Sequence, residues 1–183
     1  MSLLLHEFND PDRCVVGTVG GPGERAFYLQ VRKGSAVVSM LFEKEQARLL
    51  ALRMADLLEE EDTGPGQQPP AAADNGPLDM PLAEEFRVMR LSLMWDPHQR
   101  RAVIQAWSRA DDDDDTGQPS DAADDDEPFV SVRIHLDVPQ AQEFVRRTLA
   151  VVAAGRRSCP LCEQPVHPSG HICPRANGYH RLR

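Results

Sequence analysis

Hydrophobic and polar residues alternate along this chain with two different periods. Between residues 3 and 42, LLLHEF, CVVGTV, AFYLQV and SAVVSMLF are short apolar or alternating runs, with GGPGE and RKGS as turn residues between them. That pattern predicts strands joined by hairpins. From Glu43 the period lengthens. Ala47, Leu50, Ala51, Met54, Leu57 and Leu58 recur at steps of three and four, which gathers them on one side of a helix. Glu43 and Glu45 fall in its first turn, where the helix dipole favours acids.

The second half follows the same plan. Residues 61–83 are rich in Pro, Gly and Ala without a period and are expected to form a linker. FRVMRLSLMW and RRAVIQAWS then flank DPHQ as a further hairpin, and FVSVRIHL reads as another strand. A helix follows from about Pro139, with Ala141, Phe144, Val145, Leu149 and Val152 as its apolar stripe and Gly155 as its stop. FYLQVR followed by Glu45-Gln46-Ala47 is loosely echoed by FVSVR followed by Pro139-Gln140-Ala141. The expected fold class is α+β, an antiparallel sheet built from two strand-meander-plus-helix halves. We expect one domain over residues 1–155, followed by a short zinc-binding tail at 156–183.

Charge refines this picture. The chain has 183 residues, suited to one domain of ordinary size, with 20 Lys+Arg against 29 Asp+Glu. Ten of the acids lie in residues 111–127 with no base among them, so the net charge of −9 becomes about +1 elsewhere. Like charges at that density repel, and residues 110–127 are expected to be a disordered acidic loop. No apolar run approaches the roughly 20 residues of a membrane span. MSLLLHEFND has no basic n-region and carries an acid at Glu7, so it does not read as a signal peptide. A cytoplasmic protein with no membrane partner is expected.

The candidate chemistry lies in the tail. Cys159-Pro160-Leu161-Cys162 is followed after eight residues by His171-Ile172-Cys173. A C-x2-C turn aims two thiolates at one point, and the intervening prolines and Gly170 let the chain return with two more ligands. Cys159, Cys162, His171 and Cys173 match the closed four-ligand set of a structural Zn²⁺ site, with His167 as the alternative imidazole. Four protein ligands leave no open position, so the zinc would be structural. Cys14, in an apolar strand, is expected in the core.

Other features carry less. Gly17 to Gly23 contains several glycines, but no Lys-Ser/Thr or helix start follows, so it reads as a hairpin and not a phosphate cradle. Ser131, Arg133 and His135 alternate with Val130, Val132, Ile134 and Leu136. Arg133 and His135 thereby mark a possible anion- or ligand-binding face on an exposed sheet. Residues 146–183 hold seven arginines against Glu163, a local +6 that would suit nucleic-acid phosphates. Only Tyr179 is available there to stack on a base, and that partner is not favoured.

FYLQVRKG, LFEKEQARLLALRMADLL, DNGPLDMPLAEEFRV with WDP, and CPLCEQPVHPSGHICPRANGY together resemble an uncharacterised actinobacterial family sometimes labelled "repeat protein", domain of unknown function 3090. The resemblance implies no activity. It does imply a pathway shared with a kinase-like protein and a histidine-phosphatase-like protein. The family pattern has Gly where this chain has Glu163 and an acid where it has His167. The expectation is an accessory or regulatory adaptor that docks a protein partner, with no catalytic residues nominated. The alternatives are an enzyme or binder of a phosphorylated or anionic small molecule, and nucleic-acid binding through the basic tail.

Overall fold

The structure, a computed structural model, describes residues 3–21, 23–61, 69–108 and 129–154. In the tail it describes 159–162, 166, 170, 172–173 and 175. The chain is α+β. It runs β1 (Leu3–Asn9), β2 (Arg13–Val19), β3 (Ala26–Lys33), β4 (Ala36–Phe42) and α1 (Lys44–Glu60), then β5 (Glu84–Arg87), β6 (Arg90–Asp96), β7 (Arg101–Trp107), β8 (Phe129–Leu136) and α2 (Val138–Ala153). Each half therefore contributes four strands and a helix, although the second half shows only three strand runs in the sequence.

The strands form two sheets where one antiparallel sheet was expected. Sheet I has the order β1-β8-β7-β6 and sheet II the order β2-β3-β4-β5. Each half places its first strand in the other half's sheet. β1 lies parallel to β8 and β5 parallel to β4, while the remaining pairs are antiparallel. For β5 the cause lies in the connection. A helix after β4 carries the chain across, and a strand returning from such a crossover pairs parallel. The run FRVMRLSLMW is consequently divided. Val88 N–H donates to the Leu41 carbonyl of sheet II at 2.9 Å, and Met89 N–H to the Trp107 carbonyl of sheet I at 2.9 Å.

The two sheets and both helices enclose a common core. Leu29, Met40, Met54, Ile134 and Phe144 are among its fully buried members. Both helices open on a capping box. Gln46 answers the Glu43 backbone and Gln140 the Asp137 backbone, so orphan amides of the first turn are satisfied. The repeat extends to buried polar pairs. Gln30 donates to the Ser39 hydroxyl at 3.0 Å in sheet II, and Gln105 to the Ser131 hydroxyl at 3.1 Å in sheet I. Gly20 turns the β2–β3 hairpin at φ 99°, where a Cβ would lie 2.7 Å from the Glu24 carbonyl oxygen.

The segment expected as a linker is a fixed strap over residues 69–83, without regular structure but well bonded. Arg13 and Arg147 both reach the Asp74 carboxylate, at 2.5 and 2.8 Å. The Gln30 amide grips Asp79, accepting from its N–H at 2.8 Å and donating to its carbonyl at 3.1 Å. Leu78, buried, sits on Gly17, whose missing side chain makes the room. Proline and glycine supplied a linker-like composition, yet these hydrogen bonds hold the strap across the outer face of sheet II. Residues 62–68 and the acidic stretch 110–127 lie outside the described residues.

Candidate metal centre

The tail begins beyond α2. Cys159, Cys162 and Cys173 bring their sulfurs within 4.8 Å of one another. Cys159 and Cys173 are buried and Cys162 half-buried. The Cys159 and Cys173 sulfurs stand 3.8 Å apart. Ligands about 2.3 Å from a tetrahedral metal are separated by about 3.8 Å, so this spacing suits thiolates sharing one ion. Three such cysteines can hold a metal ion.

The local turn explains why the first thiolate forms. Backbone N–H groups of Cys162 and Leu161 point at the Cys159 sulfur and hold its thiol down at about 6, below the usual range. Arg175 ties the returning strand of the knuckle to its start by donating to the Leu161 carbonyl at 2.9 Å. His171 and His167, the two candidate imidazoles, lie outside the described residues. Cys14 stands apart from this cluster. It is half-buried in β2, packs against the core, and burial pushes its thiol up to about 12.

Two residues that the spacing argument passed over stand out at the knuckle. Leu161 is 51% exposed and Ile172 is 83% exposed, each within two residues of a buried cysteine. The signal was present as an apolar residue inside each ligand-bearing segment, but ligand counting alone gives it no role.

The other nominated residues are placed as follows. Arg133 and His135 share the outer face of sheet I and bind different neighbours. Arg133 donates to the Gln105 side-chain oxygen at 3.0 Å, whereas His135 Nε2 lies 3.1 Å from a Glu7 carboxylate oxygen. His135 is only 9% exposed and Ser131 fully buried, so the row is less open than an exposed face. In the basic segment, Arg146 pairs with Glu143 at 2.6 Å and Arg147 with Asp74. Arg147 is buried in its pairing, whereas Arg146 remains exposed beside Glu143. Among the described residues, no helix is long and apolar enough to cross a membrane.

Comparison with known proteins adds one finding. The profile of a family described as "Protein of unknown function (DUF3090)" matches residues 6–173, a span that takes in both sheets, both helices and all three clustered cysteines. No curated protein and no solved structure matches the chain.

Proposed function

This chain belongs to the DUF3090 family of proteins of unknown function, and we propose that it is a cytoplasmic accessory protein whose C-terminal zinc knuckle docks a protein partner. The observation that carries this reading is the exposure of Leu161 and Ile172 beside buried thiols. Apolar side chains held outward at the tip of a rigid metal turn favour contact with another protein, because exposed apolar groups gain by leaving water. His171 completes the tetrahedron with Cys159, Cys162 and Cys173, with His167 as the alternative ligand. The zinc is structural, since the full ligand set leaves no open position for substrate. The partner is the kinase-like or histidine-phosphatase-like protein that the family resemblance implies.

Two variants separate docking from folding. Ile172→Asp keeps every ligand and removes the apolar tip, whereas Cys159→Ser with Cys162→Ser removes the metal. Binding to each purified candidate partner is measured by titration calorimetry. Binding by the native chain that both variants lose supports the reading. Binding that survives the loss of metal, or no binding to either partner, rejects it.

A further inference from the structure

β6 is the outermost strand of sheet I, and among the described residues no strand pairs with its free edge. The other three sheet edges differ from it. On β2, Arg147 Nε donates to the Val16 carbonyl at 3.1 Å. β5 has four residues, two of them Glu84 and Glu85, and a short acidic edge resists further pairing. β1 carries His6 and Glu7, which approach Glu85 and His135 at 3.7 and 3.1 Å. β6 by contrast runs seven residues, RLSLMWD, with neither Pro nor Lys.

The internal repeat sharpens the contrast. Aligned on Gln46 and Gln140 of the capping boxes, α1 has Leu49, Leu52 and Arg53 where α2 has Glu143, Arg146 and Arg147. α2 uses those three polar side chains to hold the strap. α1 leaves Leu49 48% and Leu52 38% exposed, and Arg53 faces solvent beside Asp56. On β6 itself, Leu91, Leu93 and Trp95 pack on the core yet are only partly covered, and Met94 on the opposite side is 47% exposed.

We propose that the β6 edge is a homodimer interface, in which two copies pair β6 antiparallel about a two-fold axis through Leu93. In this register Leu91 lies opposite the second copy's Trp95, and Leu93 opposite its own counterpart. On the other face, Arg90 lies opposite the second copy's Asp96. Every inner apolar residue thus meets an apolar one, and the two charges meet their opposites. A two-fold centred on a residue pairs positions of like parity, so each outward N–H meets an outward carbonyl. Moving the axis to Ser92 or Met94 sets Arg90 against Met94 or His98 and loses the charge pairing. The contact is self-complementary and closes after two copies, joining the four strands of each sheet I into one continuous sheet. Arg90 lies over the Trp107 ring of β7, 4.7 Å from its centroid, and would turn from that ring to meet Asp96 of the second copy.

The test is the mass of the full chain in solution, followed by analytical ultracentrifugation across a dilution series. The expected species is twice the 20.4 kDa of one chain. Arg90→Glu or Asp96→Arg alone should weaken association about tenfold, because two attractions become two repulsions, and the double reversal should restore it. Since Asp96 also accepts from the N–H groups of His98 and Gln99, each variant is checked for native circular dichroism. Leu93→Cys gives an independent readout. Only an axis through this residue sets the two thiols face to face, so oxidised glutathione should yield a reducible dimer that the native chain does not form. A monomer at every concentration, or a dimer indifferent to both charge reversals and lacking the Leu93→Cys cross-link, overturns the proposal.

Discussion

Arg147 of α2 donates through Nη1 to the Asp74 carboxylate at 2.8 Å and through Nε to the Val16 carbonyl at 3.1 Å. Its remaining nitrogen, Nη2, donates to the Gly76 carbonyl at 2.7 Å. One buried side chain therefore joins helix, edge strand and strap. Asp74 also accepts from Arg13, so its carboxylate is the point where three elements meet.

That arrangement fixes a pH dependence. The Arg13 guanidinium holds the Asp74 carboxyl down at about 2, against an ordinary 3.8. A depressed carboxyl contributes stability above its unfolded value, and that stability is lost as pH falls through the folded one. Asp74→Asn should cost about 2 kcal/mol at neutral pH, with the difference from the native chain shrinking below about pH 4 and gone only below about pH 2. Urea titrations of both proteins at several pH values would measure it. A difference that stays constant down to pH 2 would show that the ion pair is not its source.

The seat of Leu78 gives a second expectation. A Cβ on Gly17 would lie 2.6 Å from both Cγ and Cδ2 of Leu78, so Gly17→Ala must lift the strap. Overpacking of this kind costs about 1–3 kcal/mol. Hydrogen exchange should report faster opening of residues 74–79, above all at the Asp79 amide that Gln30 holds.

Helix α2 depends on its first turn. The Asp137 carboxylate accepts from the Gln140 N–H at 2.8 Å, and Asp137→Ala should lower stability by about 1 kcal/mol in a thermal melt. An unchanged melting temperature would mean that the strap contacts alone hold the helix end.

Thiol reactivity distinguishes the four cysteines. With metal bound, none should react quickly with a disulfide reagent. After chelation Cys159, Cys162 and Cys173 should react promptly, while Cys14, with its thiol pushed up to about 12, waits for unfolding. Titrating thiols before and after chelator checks the count.

The helices were legible because apolar residues at a 3.6-residue period record a buried face. The stripe from Ala47 to Leu58 is the one α1 buries, with Leu57 partly covered. On α2 the buried set includes Arg147 and Thr148, which periodicity does not nominate. Arg147 is buried because strap groups some 70 residues away receive its hydrogen bonds, and such pairings leave no period in the chain. The exchange of first strands was hidden for a related reason. Alternation marks a strand but not the neighbour it pairs with, and only for β5 does a crossover helix set the parallel direction. At the knuckle, thiol spacing gave the cluster directly, since C-x2-C fixes its own geometry. The exposed Leu161 and Ile172 needed the fold of that turn to be seen.

Metal analysis reads directly whether the knuckle holds zinc through its cysteines. The full chain, purified without added metal, should carry one zinc per molecule, and the variant with Cys159→Ser and Cys162→Ser should carry none. A native chain without metal, or a double variant that keeps it, would show that these cysteines do not hold zinc.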